Sequence, residues 1–139
     1  MVRTRSSGGC SPHHLPVAFR NRTRVARSRI HGLGCFSVGP LPRNCLATWY
    51  DGELIDWPAA RRRGAEAGHY VRSLASMHTA IDGCRDPRRA RGHGSFCNHS
   101  DRPNATFWVR DDVVWIKTLR AVGANEEITV SYGRTYVHG

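Results

Sequence analysis

The sequence predicts a mainly β domain built from short strands, and three observations predict it. Ala105 to Val109 and Val113 to Leu119 are dense in β-branched and aromatic residues, and the polar break Arg110-Asp111-Asp112 between them suits a hairpin turn. After Gly123-Ala124-Asn125, Ile128 and Val130 alternate with Thr129 and Ser131, which gives one apolar and one polar face. Upstream, the apolar segments are equally short and are separated by glycine and proline turns.

Taken in order, residues 1–20 mix Gly, Ser, Pro and Arg without periodicity and read as a basic, flexible tail. The folded domain is expected over residues 21–137. Thr23 to Ser28 has strand-like alternation, with Val25 apolar among Arg and Ser. Gly32-Leu33-Gly34 then reads as a tight turn whose glycines permit positive φ and close approach of the backbone to a ligand, although taken alone a plain turn between strands is the commoner meaning of such a pair. Cys35 to Val38 and Cys45 to Tyr50 are strands separated by the loop from Gly39 to Asn44. Asp56 followed by Pro58 supplies an N-cap and an early proline, so a short helix is expected over Ala59 to Ala67, with Arg61-Arg62-Arg63 on its solvated face. Val71, Leu74 and Met77 fit a helical stagger or an irregular buried run. Cys84 to Arg91 is an arginine-rich loop, and Asn98-His99-Ser100 with Pro103-Asn104 is a polar one. Its side chains either satisfy their own backbone or, offering donors and acceptors in both directions, meet a purine.

At 139 residues one domain is expected, with a core that needs neither disulfides nor metal. The net charge is +10, and no Asp or Glu precedes Asp51, so the N-terminal half is cationic. Such a surface is either simply solvated or suited to acidic partners such as nucleic acid. Five cysteines without a CxxC pair argue against a disulfide framework or a zinc knuckle, which points to a reducing, intracellular compartment, nuclear or cytoplasmic. His93, Cys97 and His99 lack a fourth ligand, so no metal is expected. No apolar run is long enough to span a membrane and no secretory signal is legible. The acid-free N-terminus leaves organelle import open, although Pro12, Pro16 and Gly8-Gly9 disrupt an amphipathic helix. Lys117 is the chain's only lysine.

The motifs carry a resemblance. SFCNHSDRPNA from Ser95, followed by ANEEITVSYG ending at Gly133, is similar to the paired signatures of SET domains, the fold of S-adenosylmethionine-dependent protein-lysine methyltransferases. Ile30 to Phe36 resembles that family's glycine-rich opening, and Trp49 to Ile55 its Tyr-x-Gly-Glu stretch. Tyr70 with Ala80-Ile81-Asp82-Gly83 resembles a further one. These motifs fall in the family's order over residues 22 to 136. The resemblance implies a SET (β-clip) fold of short strands, a small helical insert and a threaded C-terminal segment that brings residues 98–100 beside residue 132.

It also implies an activity, methyl transfer to a lysine ε-amine of a histone or another protein. Tyr132 and Tyr50 are the implied catalytic residues. Gly32, Leu33, Gly34, Tyr70, Asn98, His99, Tyr132 and Tyr136 are implied to bind S-adenosyl-L-methionine, with Asn98 and His99 on the adenine. Tyr50, Phe107 and Tyr132 line the lysine channel, and Glu127 ties the strand presenting Tyr132 to neighbouring loops. Phe107 stands where some members that stop at one methyl carry Tyr, which implies di- or trimethylation. Asp51, Glu53, Asp56, Asp111 and Asp112 are candidates for an acidic rim that would attract a basic peptide.

Three positions depart from the family pattern: Asp101 replaces a zinc-cluster Cys, Ser95 a common Arg, and Ser131 a common Asp. Without that cluster, Tyr136-Val137 or a second subunit, that is a homodimer, is expected to close the site, as in the smallest viral members. A SET-fold binding module without turnover, and a small basic protein contacting nucleic acid through its arginines, are the competing readings.

Overall fold

The computed structural model describes residues 20–56, 58, 62, 70–71, 79–110 and 113–132. Nearly all of the expected tail, most of the Ala59–Ala67 helix, Leu74, Met77, Asp111, Asp112, Tyr136 and Val137 lie outside them. Pro58 and Arg62, within the expected insert, have helical backbone.

Among the described residues ten strands form three small sheets. β1 (Thr23–Arg27), β2 (Leu33–Ser37), β10 (Glu127–Val130) and β7 (Asn98–His99) lie side by side in the order β1-β2-β10-β7. β3 (Leu46–Trp49), β9 (Val113–Thr118) and β8 (Ala105–Arg110) form the second sheet, and β4 (Gly52–Asp56), β6 (Thr79–Gly83) and β5 (Tyr70–Val71) the third. The predicted hairpin is present: β8 and β9 pair antiparallel from Ala105↔Thr118 to Arg110↔Val113.

Burial follows the period of two. Val114 and Ile116 on β9, Phe107 on β8, Ile128 and Val130 on β10 and Cys35 on β2 share the main core with Tyr50 and Cys97. The alternate residues Val113 and Trp115 join Trp49 in a second cluster. Strand β9 therefore reads as a continuous apolar run because each of its faces meets a different cluster. Two turns carry asparagine at positive φ, Asn44 (62°) and Asn125 (63°), a conformation that asparagine tolerates better than most residues. The loops that hold them are clipped together by mutual backbone hydrogen bonds between Leu41 and Val122, at 2.8 and 2.9 Å.

Two expectations change. Gly32, at φ 46°, makes the turn, whereas Gly34 belongs to strand β2 and pairs with Ala26. The cysteines are not all free: Cys35, Cys45 and Cys97 are thiols, but Cys84 is disulfide-bonded, a departure from the wholly reduced set expected.

Candidate active site around Tyr132

The site is assembled by the one parallel pairing among the described strands. β7 lies beside β10 with Thr129 opposite Asn98 and Val130 opposite His99, and Ser100 N–H donates to the Val130 carbonyl at 2.9 Å. Residues 98–100 and 132 are thus adjacent although they are more than thirty positions apart in sequence.

Glu127 is the hub that joins this pairing to the glycine turn. Its carboxylate accepts the Ser28 hydroxyl, within 2.8 and 2.9 Å of its two oxygens, and the Asn98 side-chain amide at 3.0 Å. Asn98 Nδ2 also lies 3.1 Å from the carbonyls of both His31 and Leu33, on either side of Gly32. Its donor capacity is therefore directed inward, bracing the turn, and only Oδ1 has no hydrogen bond among the described residues. A Cβ built on Gly34 would collide with the Glu127 carboxylate and stand 3.0 Å from Ser28 Cβ, so glycine is needed there for close approach. At Gly32 the same construction meets nothing within 4 Å, which leaves an open face beside the exposed side chains of Ile30 and Leu33.

His99 is engaged at both ring nitrogens. Nδ1 accepts the Tyr132 backbone N–H at 2.9 Å, so Nε2 carries the proton toward Asp101 Oδ1 at 3.1 Å. The two rings lie 5.5 Å apart at 47°. The Tyr132 hydroxyl donates to the Cys97 carbonyl. Burial, and after it the neighbouring Cys97, push the Tyr132 phenol up to about 12, so it stays protonated at any ordinary pH. The side chain of Cys35, and after it burial, raise the Cys97 thiol, which disfavours the nucleophilic thiolate.

Tyr50 and Phe107 form a buried aromatic wall in the main core. Their centroids are 6.1 Å apart at 63°, an edge-to-face pair. Tyr50 N–H donates to the Val114 carbonyl at 2.7 Å. The segment Gly94–Phe96, one 3-10 turn, connects this wall to Cys97 and so to the Tyr132 hydroxyl. Gly94 packs so tightly that a Cβ would stand 2.9 Å from Tyr50 Cα.

Asp51 is not on a rim. It is fully buried: Oδ2 accepts Arg91 N–H at 2.8 Å and Gly92 N–H at 3.4 Å, while Oδ1 has no hydrogen-bond partner among the described residues. Desolvation raises its pKa, with the amides of Arg91 and Gly92 opposing. Of the other rim candidates, Asp56 is exposed and the side chain of Glu53 is outside the description. A carboxyl whose folded pKa is raised binds its proton more tightly folded than unfolded, so its contribution to stability improves as pH falls through the folded pKa. Asp51→Asn, which keeps an acceptor for the two amides, is therefore expected to raise the melting temperature at pH 7, with the gain shrinking toward pH 4. A gain that did not depend on pH in thermal melts would contradict this assignment.

The remaining expected residues are less informative. Tyr70 has its backbone in β5, opposite Asp82, and its side chain is not described; Tyr136 lies outside the described residues. Among the described residues no three His, Cys, Asp or Glu side chains gather as a metal site, and no helix is long and apolar enough to cross a membrane. Ser28 went unremarked as a site residue in the sequence, because its role arises only from strands that pair across long separations.

Comparison with known proteins bears on this geometry. The family model of the SET domain matches residues 32–133. Human "Histone-lysine N-methyltransferase 2D" is 27% identical over 122 residues, covering 85% of this chain and 2% of its own length. "Histone-lysine N-methyltransferase, H3 lysine-4 specific" of Kluyveromyces lactis is 32% identical over 130 residues, covering 84% of this chain and 12% of its own. This chain thus spans a small fraction of the curated relatives it matches. A crystallised Plasmodium falciparum protein assigned as a histone methyltransferase shares the fold, with a TM-score of 0.64 at 20% identity over 85% of this chain and 98% of its own.

Proposed function

This chain belongs to the SET-domain family, and from that premise we propose that it is an S-adenosylmethionine-dependent protein-lysine N-methyltransferase acting on histones or another lysine-bearing protein. The observation that supports this most is the Glu127 hub, which ties the Gly32 turn to Asn98, whose strand neighbour His99 holds Tyr132. The names of the relatives support a protein lysine as acceptor.

The residues present fit the cofactor. Space is open at Gly32, Asn98 keeps an unpaired amide oxygen among the described residues, and the rings of His99 and Tyr132 lie 5.5 Å apart at the seam that Asn98 shares. Gly32, Leu33, Asn98 and His99 would hold it, with Tyr70 and Tyr136 as further candidates. When bound it supplies a methyl group on a sulfonium, activated for in-line displacement by an amine.

The chain's own part is alignment and exclusion of water. A free lysine has a pKa of about 10.4 and must become neutral to react. The apolar, aromatic wall of Tyr50 and Phe107 disfavours the ammonium form, and the proton leaves through water. Tyr132, with its proton committed to the Cys97 carbonyl, presents oxygen lone pairs that attract polarised C–H groups. It orients and does not act as a base, since its proton is held so firmly.

Phe107 adds no hydroxyl to the channel, so the enzyme is expected to give di- or trimethyl-lysine, and Phe107→Tyr to restrict it to monomethyl-lysine. Mass spectra showing only monomethyl-lysine from the unaltered protein would refute this.

The decisive experiment is incubation of purified protein with radiolabelled S-adenosylmethionine, core histones and cell lysate. Transfer of label to protein lysine is the expected result. Cofactor binding without transfer would favour a non-catalytic SET-fold module. Absence of both, with salt-steep affinity for DNA, would favour the nucleic-acid reading.

A further inference from the structure

The end of the β1–β2 hairpin remote from Gly32 gathers arginines from two parts of the chain. Val25 packs on the main core, so by strand alternation Arg22 and Arg24 belong to the opposite face. The Arg22 guanidinium reaches Cys45 Sγ at 3.2 Å, which brings it beside the turn that carries Arg43. Arg24 lies over the ring of its cross-strand neighbour Phe36, 5.2 Å from the centroid, and donates to Asn125 Oδ1 at 3.2 Å. Arg20, Arg22, Arg24 and Arg43 are all exposed, and none is paired with a carboxylate among the described residues. Glu126, next to Asn125, is already held by Arg120 at 2.7 Å. Like charges gathered without counter-charges repel one another and oppose folding, whereas a surface that needs only solubility intersperses both signs.

We infer that this end of the hairpin is a docking surface for double-stranded DNA, on which Arg20, Arg22, Arg24 and Arg43 bind backbone phosphates without reading base sequence. Guanidinium forks match phosphate oxygens two at a time, and such contacts supply affinity rather than specificity. A partner protein fits less well, since the core of a protein interface is depleted of charge. The exposed apolar neighbour of Arg22, Val38, offers such a partner no aromatic anchor. A single strand is also disfavoured, because it binds by stacking its bases on open rings, and Phe36 is capped by Arg24. The surface is separate from the cofactor turn. The hairpin runs from Thr23↔Ser37 at this end to Arg27↔Leu33 beside Gly32, a length of about 14 Å. DNA held here therefore leaves the Gly32 turn free, and its binding does not depend on methyl transfer.

Fluorescence anisotropy of a short labelled duplex, titrated with the full chain at several salt concentrations, tests this. With four phosphates neutralised, affinity is expected to fall at least about a hundredfold between about 50 and 200 mM salt. Arg22→Ala combined with Arg43→Ala is expected to reduce the slope of log affinity against log salt by about 2, and to weaken binding equally for unrelated sequences. Arg22→Lys combined with Arg43→Lys, which keeps both charges, is expected to preserve the slope and so separates lost contacts from a lost fold. Arg88→Ala combined with Arg89→Ala removes the same charge from exposed positions on the loop after Cys84, and is expected to change the slope by less than about 0.5. Equal losses from the two alanine pairs would reveal diffuse attraction by net charge and overturn the assignment. So would an unchanged slope in the Arg22/Arg43 pair, the absence of DNA binding, or tighter binding of a single strand than of the duplex.

Discussion

Replacing Glu127 with Ala is expected to lose about 1–2 kcal/mol of folding stability and to abolish cofactor binding. The carboxylate takes the Ser28 hydroxyl and the Asn98 amide, and through Asn98 it is linked to the carbonyls of His31 and Leu33. Its removal leaves the half-buried Ser28 hydroxyl without its acceptor and the Asn98 amide with two of its three. An unsatisfied group of this kind costs about 1–3 kcal/mol. The turn that carries Gly32 would lose its brace at the same time. Glu127→Gln, which keeps the shape and one acceptor oxygen, is expected to lose roughly half as much. Urea unfolding gives the first quantity and calorimetric titration of S-adenosylmethionine the second. An alanine variant within about 0.5 kcal/mol of the parent would show that the hub is ornamental.

Tyr132→Phe is expected to lower turnover by about a hundredfold, the cost of losing alignment at a reacting centre, with only a small change in stability. The residue is 44% exposed and a phenylalanine ring keeps its contacts, so the loss is limited to one hydrogen bond, about 1 kcal/mol. What goes is the bond to the Cys97 carbonyl that holds the oxygen in place, together with the oxygen itself. Because the backbone bond to His99 remains, affinity for the cofactor is expected to stay within about threefold, and the loss falls on kcat. Radiolabel transfer under saturating cofactor measures it. Unimpaired turnover would remove Tyr132 from the machinery.

Both expectations start from residues that the sequence singled out, but for reasons that only the fold supplies. Glu127 stands in a strand whose alternation is legible, and that alternation says nothing of Ser28, which is 99 positions away. The resemblance implies Asn98 on the adenine; its Nδ2 is turned inward on the glycine turn, which leaves Oδ1 for a ligand. Asp51 was read as part of a charged rim, since carboxylates are usually exposed. It is buried because two backbone amides of the Arg91-Gly92 segment converge on it.

What the sequence determined by itself was local. Alternation marked β1 and β10, and short apolar or β-branched runs marked β2, β3, β8 and β9, to within a residue or two, and turn chemistry marked Gly32, Asn44 and Asn125 as breaks, because side-chain pattern and backbone preference act over a few residues. The order of its motifs also identified the family. Strands β4 to β7 were not legible. β5 and β7 are two residues long, and β7 is polar, so neither can show a pattern. They exist as strands because β6 and β10 offer them free edges. The tertiary structure alone decided the parallel seam of β7 on β10, and with it the meeting of Asn98, His99 and Tyr132, since hydrogen bonds between segments remote in sequence leave no periodic trace in either.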